Sequence, residues 1–404
     1  MNLKDKNVLI TGADGFVGSY LAEELINNGS NVHGLIQRGT GDLYSKNLTD
    51  HGIENSLNLI EGDLTDITSL ANALDISEPD YVFHLAAQSF VPASFQNPLG
   101  TQMINCIGTA NLLDAIRVKD FNPKIVFAGS SEEYGLIITS KEQYEVATKK
   151  YKTIFPEPEK IPELPINETN PLRPMSPYAT SKVYGDFLMR NYFNSFGMQT
   201  IVSRAFNHEG AGRGPMFVTS VITDQVAKIK TGETNQIKIG NLNSFKDWSH
   251  VKDIIIGYIK LALNGRSGDV YNQGAMRTNS VLSYILLSLE EAGYNIDQIE
   301  TFDGNKKVFS PTLMDNSPIF GVKFAKTKVD RIMLEDGLEY TINDKGINVY
   351  TDKGKIAVNF DPDRFRPAEV PIMLADTRKI QEIGARTDHS LRDIINDQLN
   401  YFIK

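Results

Sequence analysis

Apolar positions along this chain recur in two rhythms. Short apolar runs appear at Asn7–Ile10, Asn31–Ile36, Leu57–Gly62, Tyr81–Ala87, Lys124–Ala128, Thr200–Ala205 and Asp269–Gln273. They predict strands, and the two-sided apolarity of Tyr81–Ala87 suits the middle of a parallel sheet. Between them, apolar residues spaced at helical intervals predict helices over Phe16–Asn28, Leu99–Val118, Tyr178–Phe196, Val218–Thr231, Ile254–Leu263 and Val281–Gly293. Pro177 suits the first turn of the third. A short strand near Ile372–Ala375 and helices over Thr377–Ile383 and Leu391–Ile403 close the chain. Strand and helix in alternation predict an α/β fold, a doubly wound parallel sheet.

Two stretches break the rhythm. Between Gly135 and Asn170 the chain is rich in Lys, Glu and Pro without an apolar period, which reads as an excursion over the surface. Gly321–Phe360 alternates instead, with Ile332–Glu335 and Ile347–Tyr350 separated by Asp336-Gly337 and Asp352-Lys353-Gly354. That is the pattern of a β-hairpin or meander, set into the chain as a β-rich insertion.

The first strand and helix are joined by glycines at three-residue spacing, Gly12, Gly15 and Gly18. One glycine permits a tight reversal, a second lets backbone amides approach a diphosphate, and a third lets helix pack on strand. The diphosphate then meets the positive end of the helix dipole. The second strand ends in Gln37 and Arg38, without the carboxylate that would hold a ribose 2′-hydroxyl. Arg38 there favours a 2′-phosphate, hence NADP, with NAD as the alternative. Asp63 is placed to bond an adenine edge, and Ala86 and Ala87 give a cofactor backbone clearance.

Charge and composition narrow the partners. The chain has 404 residues, 41 Lys and Arg against 50 Asp and Glu, and a net charge of -9. Nucleic acid and anionic membranes are therefore disfavoured as partners. Cys106 is the only cysteine, so neither an intrachain disulfide nor a cysteine-rich metal site is expected, and no metal site is assigned. The N-terminus runs directly into the first strand and no apolar run has spanning length, so a cytoplasmic location is expected.

Tyr178 and Lys182 stand four apart, which puts both on one helix face. An ammonium beside a phenol favours the phenolate, a base usable near neutral pH. Polar Gly129–Gly135 follows a strand end, where the crevice rule places sites. His84, inside an apolar run, reads as a satisfied core histidine.

Taken together, Thr11–Gly18, Asp63, Leu85-Ala86-Ala87-Gln88, Ser130/Glu132/Tyr134-Gly135 and Tyr178/Lys182 resemble the extended short-chain dehydrogenase/reductase family. Later motifs sharpen this: Phe206–Gly214, Phe217–Thr219, Ile239–Leu242, Asp247–Asp253 and Phe365–Val370 resemble GDP-mannose 4,6-dehydratases. Gly129–Gly135 and Asp269–Asn272 also resemble GDP-4-keto-6-deoxymannose reductases, so the alternative is an NADPH-dependent 4-keto-sugar reductase or a 4-epimerase.

The resemblance implies a Rossmann-type NADP-binding domain over 1–205, with 239–270 returning to it and a surface insertion near 137–165. A smaller C-terminal α/β nucleotide-sugar domain would span 206–238 and 271–404, with the β-rich insertion near 321–360. It implies catalytic Ser130, Glu132, Tyr178 and Lys182. Gly12, Asp14, Gly15, Phe16, Val17, Gly18, Arg38, Asp63, Leu64, Leu85, Ala86 and Ala87 would bind cofactor, with Tyr178 and Lys182. Ser89, Asn207, Arg213, Val218, Lys228 and Lys246 would bind a nucleotide sugar, GDP-linked in preference. In that family two helices pair across a dimer axis, matching Leu99–Val118 and Tyr178–Phe196, so a homodimer or homotetramer is implied. Ser130 stands where dehydratases carry threonine, and Lys246 where they carry an arginine that a lysine cannot replace bidentately. Glu133 is assigned a duller capping or loop role.

Overall fold

The computed structural model describes residues 3–37, 46–365 and 370–403. Among them the central sheet contains β1 (Asn7–Thr11), β2 (Asn31–Ile36), β3 (Asn58–Glu61), β4 (Tyr81–His84), β5 (Lys124–Ala128), β6 (Thr200–Ala205) and the strand Val270–Gln273. Their order across the sheet is Val270–Gln273, β6, β5, β4, β1, β2, β3, and every pairing is parallel. The order reverses between β1 and β4, which opens a crevice at the carboxyl ends of those strands. One face is covered by α1 (Phe16–Asn27) and the helix Val251–Asn264, packed through Leu21, Leu25, Ile255 and Tyr258. The other is covered by Ile67–Ser77, Gly108–Val118 and Pro177–Phe196, through Leu70, Leu113 and Met189. Both faces are dry, so the strands are apolar on both sides.

A second sheet has the order Lys307–Phe309, Ile296–Thr301, Gly346–Thr351, Gly354–Phe360, Gln236–Ile239, with only the last pairing parallel. The helices Val218–Lys230, Val281–Glu291 and Leu391–Ile403 pack together beside it around a separate core that includes Trp248, Tyr284 and Ile395.

The β-rich stretch is therefore not an added flap. Its strands Gly346–Thr351 and Gly354–Phe360 bridge Ile296–Thr301 to Gln236–Ile239 and complete the second sheet. Ile332–Glu335, expected as part of the meander, is the end of a helix, Lys328–Glu335. Thr327 and Asp330 form a capping box at its start, a local signal that outweighs the short apolar run. Ile372 and Ala375 make single bridges to Phe245 and Ile166 rather than a strand. The excursion after Gly135 has a helix of its own, Lys141–Tyr151, and buries Leu136, Ile138, Ala147 and Ile154. It is tied down by Arg173, whose guanidinium donates to both carboxylate oxygens of Glu163 at 2.8 Å. The helix expected over Leu99–Val118 is helical throughout but changes pitch, with a π segment at Met103–Ile107.

Candidate active site

The crevice at the β1/β4 reversal is a cleft of about 530 Å³. Its floor is the glycine bend. Gly12 has φ +72°, which an L side chain rarely adopts, and a Cβ there would lie 3.0 Å from Ala86 Cα. A Cβ on Gly18 would lie 2.1 Å from the Gly12 carbonyl oxygen, so only hydrogen lets α1 sit this close to the turn. Gly15 caps α1 without a side-chain acceptor, leaving first-turn amides directed at the cleft. This bare, positively polarised helix start fits a dinucleotide diphosphate.

Every residue expected on the cofactor side lines the cleft except Arg38, which lies outside the described residues. The Asp63 carboxylate is held by the Thr65 amide and hydroxyl, both at 2.7 Å, and by Gln37 at 3.3 Å. These bonds keep it below the usual carboxylate range, Thr65 contributing most. Ser89 and Arg213 also line the cleft. The Arg213 guanidinium is 3.6 Å from the Phe217 ring centroid and 5.1 Å from that of Phe16, spanning the second unit and the glycine bend.

The residues expected to be catalytic come from two elements. The helix Pro177–Phe196 starts with Ser176 as its side-chain cap and presents Tyr178 and Lys182 to the cleft. At the end of β5, a turn over Ser131–Glu133 carries Ser130 and Glu132, which follow the lining residues Ala128 and Gly129 but are not themselves part of the cleft lining. The Ser130 side chain hydrogen-bonds Tyr178, and Ser130 Oγ accepts from the Glu132 amide at 3.2 Å. Glu132 is half-buried and near enough for its charge to raise the Tyr178 phenol.

The expected activation of Tyr178 by Lys182 needs correcting. Burial pushes the phenol up to about 12, with the Ser130 hydrogen bond acting against it. Lys182 Nζ donates to the Ala128 carbonyl at 2.6 Å and sits 5.9 Å from the Tyr178 ring centroid. Its ammonium is directed at a strand end, not at the phenol oxygen. Burial in turn pulls Lys182 down to about 8.

Of the expected sugar-side residues, several stand apart from the cleft lining. Lys228 is exposed and paired with Asp224 one turn earlier, at 2.7 Å. Lys246 is buried, with Nζ donating to the Val370 carbonyl at 2.8 Å. Val218 packs on the second core. Asn207 is half-buried, and its carbonyl accepts from the Ser249 amide at 2.8 Å. His84 bridges Thr11 and Thr109 at 2.8 and 3.0 Å and is held neutral by burial, as a satisfied core histidine should be.

Several lining residues escape sequence reasoning. Gln37, Gln88, Ile104, His208 and Tyr258 also line the cleft. Tyr258 comes from the helix Val251–Asn264, where it is indistinguishable from a core aromatic. His208 lies in the glycine-rich loop, its Nδ1 2.8 Å from the Phe206 carbonyl oxygen, and burial lowers it to about 4.

Comparison with known proteins agrees with this fold. Residues 8–274 match the NAD dependent epimerase/dehydratase family, and residues 160–398 match the GDP-mannose 4,6 dehydratase family. A GDP-mannose 4,6-dehydratase from Sinorhizobium fredii is 30% identical over 98% of this chain and 97% of its own. One from Drosophila melanogaster is 31% identical over 98% of this chain and 86% of its own. The fold matches that of RMD from Pseudomonas aeruginosa complexed with NADPH, with TM-score 0.66 and 20% identity over 98% of this chain and 99% of that one. It matches equally a UDP-glucose 4-epimerase from Thermus thermophilus in complex with NAD, with TM-score 0.67 and 21% identity over 98% of both chains. The sheet with its reversal point, the glycine bend and both family matches lead to one conclusion: this chain belongs to the NAD dependent epimerase/dehydratase family, as a member of its GDP-mannose 4,6 dehydratase group.

Proposed function

We propose that the protein converts GDP-mannose to GDP-4-keto-6-deoxymannose. The observation that carries the reading is the convergence of Ser130, Glu132 and Tyr178, with Lys182 one helical turn further on. Oxidation at carbon 4 alone needs only a hydroxyl-bound tyrosine. A carboxylate beside it is what an elimination across carbons 5 and 6 requires.

NADP, held on the glycine bend, would supply hydride acceptance and return together with a positive ring charge beside Tyr178. Tyr178, with its phenol high in the free protein, takes the proton of the sugar 4-hydroxyl once that charge is in place. Ser130 donates to the 4-oxygen. The ketone at carbon 4 acidifies the proton on carbon 5, and Glu132 removes it. Glu132 then returns that proton to the departing 6-hydroxyl as general acid, and water leaves. Hydride returned to carbon 6 would leave carbon 5 to regain a proton, which balances the one Tyr178 took from the 4-hydroxyl; net hydride consumption is zero, so the reaction runs without added reductant.

Incubation of the purified protein with GDP-mannose, without added NADPH, should yield a 4-keto-6-deoxy product. Turnover that consumes NADPH stoichiometrically would instead assign a 4-keto-sugar reductase. Leu99, Tyr184 and Phe187 are 73%, 40% and 54% exposed on the helical segments flanking the cleft, which supports a homodimer formed through them.

A further inference from the structure

Beneath the turn that carries Ser130 and Glu132 lies a buried charged cluster that the proposed reaction leaves unused. Glu133 is fully buried. Its Oε1 accepts from the Ser130 amide at 2.8 Å, and its Oε2 lies 3.3 Å from Arg204 Nε. The same Arg204 nitrogen donates to Asp186 Oδ2 at 2.8 Å. Asp186, also fully buried, follows Lys182 by one turn of the helix, and its other oxygen accepts from Arg190 at 2.7 Å. Arg204 projects from β6 and also donates to the Tyr134 hydroxyl at 3.0 Å and the Glu168 carbonyl at 3.1 Å.

Capping a three-residue turn does not require this. An exposed glutamate would satisfy the Ser130 amide equally well, whereas burying two carboxylates against one guanidinium carries a large desolvation cost. Burial and the facing Asp186 carboxylate push Glu133 up, against Arg204. The other charged or titratable groups near Glu133 are Tyr134 from its own turn, and Tyr178 and Lys182 from the helix. Space is reserved for the arrangement as well: a Cβ at Gly129 would lie 2.6 Å from Glu133 Oε1. The cluster sets one guanidinium from β6 between the two elements that carry the reactive groups, hydrogen-bonded to Asp186 and in ion-pair contact with Glu133 Oε2.

We propose that Glu133 is a positioning residue which, through Arg204 and Asp186, locks the turn bearing Ser130 and Glu132 to the helix bearing Tyr178 and Lys182. The inference rests on the dehydratase reading, because those four side chains are the ones whose spacing it sets.

The test compares Glu133→Leu, of similar volume with no acceptor, and Glu133→Gln, which keeps an acceptor, in the full-length protein loaded with NADP. Glu133→Leu should lower kcat for 4-keto product roughly 10- to 100-fold while KM moves less than about threefold, as misplacement of a reacting group does. Glu133→Gln should restore kcat to within about fivefold of the parent. Hydrogen exchange at the Ser130 amide, measured without substrate, should quicken at least about tenfold in Glu133→Leu and stay slow in Glu133→Gln. Unchanged kcat in Glu133→Leu, a loss of kcat without faster Ser130 exchange, or an equal loss in Glu133→Gln would overturn the proposal. Should Glu133→Leu fail to fold, Asp186→Asn must give the same kcat-selective loss and the same Ser130 exposure, and showing neither would be equally fatal. If the parent protein makes no dehydrated product, the functional reading falls while Ser130 exchange still decides the clamp.

Discussion

Glu132 and Lys182 carry opposite burdens at the scale of single residues. Glu132 is half-buried and near enough for its charge to act on Tyr178, so under the proposed reaction replacing its carboxylate by an amide would remove proton transfer with little change in shape. Glu132→Gln is expected to lose about 10²-fold or more in product formation, with unchanged NADP affinity by fluorescence titration. Lys182 is buried, and burial pulls it from the ordinary lysine value of 10.5 to about 8. Its ammonium is lost as pH rises through that value, so kcat/KM should fall on the alkaline side of about 8. The stability consequence has the opposite sign. Between about 8 and 10.5 the unfolded chain binds more protons at this residue than the folded one, so stability rises with pH across that window. Lys182→Met should therefore raise Tm at pH 7 in calorimetry, and the gain should shrink on going to pH 10.5.

Elements meet the cleft through close approaches that single atoms control. At Gly18 the space for a Cβ is already taken by the Gly12 carbonyl oxygen, 2.1 Å away. Gly18→Ala must push α1 off the turn, and equilibrium dialysis should show NADP binding lost while the second unit keeps its secondary structure. The Lys141–Tyr151 excursion depends on a different device, the Glu163–Arg173 pair, whose side chains are 2% and 4% exposed. Removing one partner strands the other charge, so Glu163→Gln should cost about 3–5 kcal/mol in denaturant unfolding. The short apolar run Ile332–Glu335 suggested a strand, whereas the structure caps a helix there with Thr327 and Asp330. Local capping chemistry proved the better guide there.

Contacts between the two units set the scale of the whole molecule. Asp397, on the last helix, accepts from the Ala211 amide at 2.7 Å and lies 3.3 Å from His250 Nε2. It thereby ties the C-terminus to the loop that carries Arg213 into the cleft. Asp397→Ala should loosen that loop, raising KM for the nucleotide sugar several-fold with a smaller effect on kcat in steady-state assays. The exposed apolar side chains beside the cleft predict assembly. Phe187→Asp should shift the protein toward monomer in sedimentation.

By itself, the sequence determined the parallel sheet, the glycine bend and the Tyr178–Lys182 face, because each is written in neighbouring residues through period, steric room or helical spacing. The same locality assigned Glu133 a capping or loop role, and the structure makes it the cap of the Ser130 amide. Only the tertiary structure decided the rest. It turned Lys182 toward the Ala128 carbonyl, drew Lys246 to Val370, and wove the strands after Gly346 into a sheet begun at Gln236. It also joined Glu133 to Arg204 and Asp186, residues distant in sequence. The direction of an ammonium and the partner of a buried carboxylate depend on which distant backbone arrives beside them, and no local pattern encodes that.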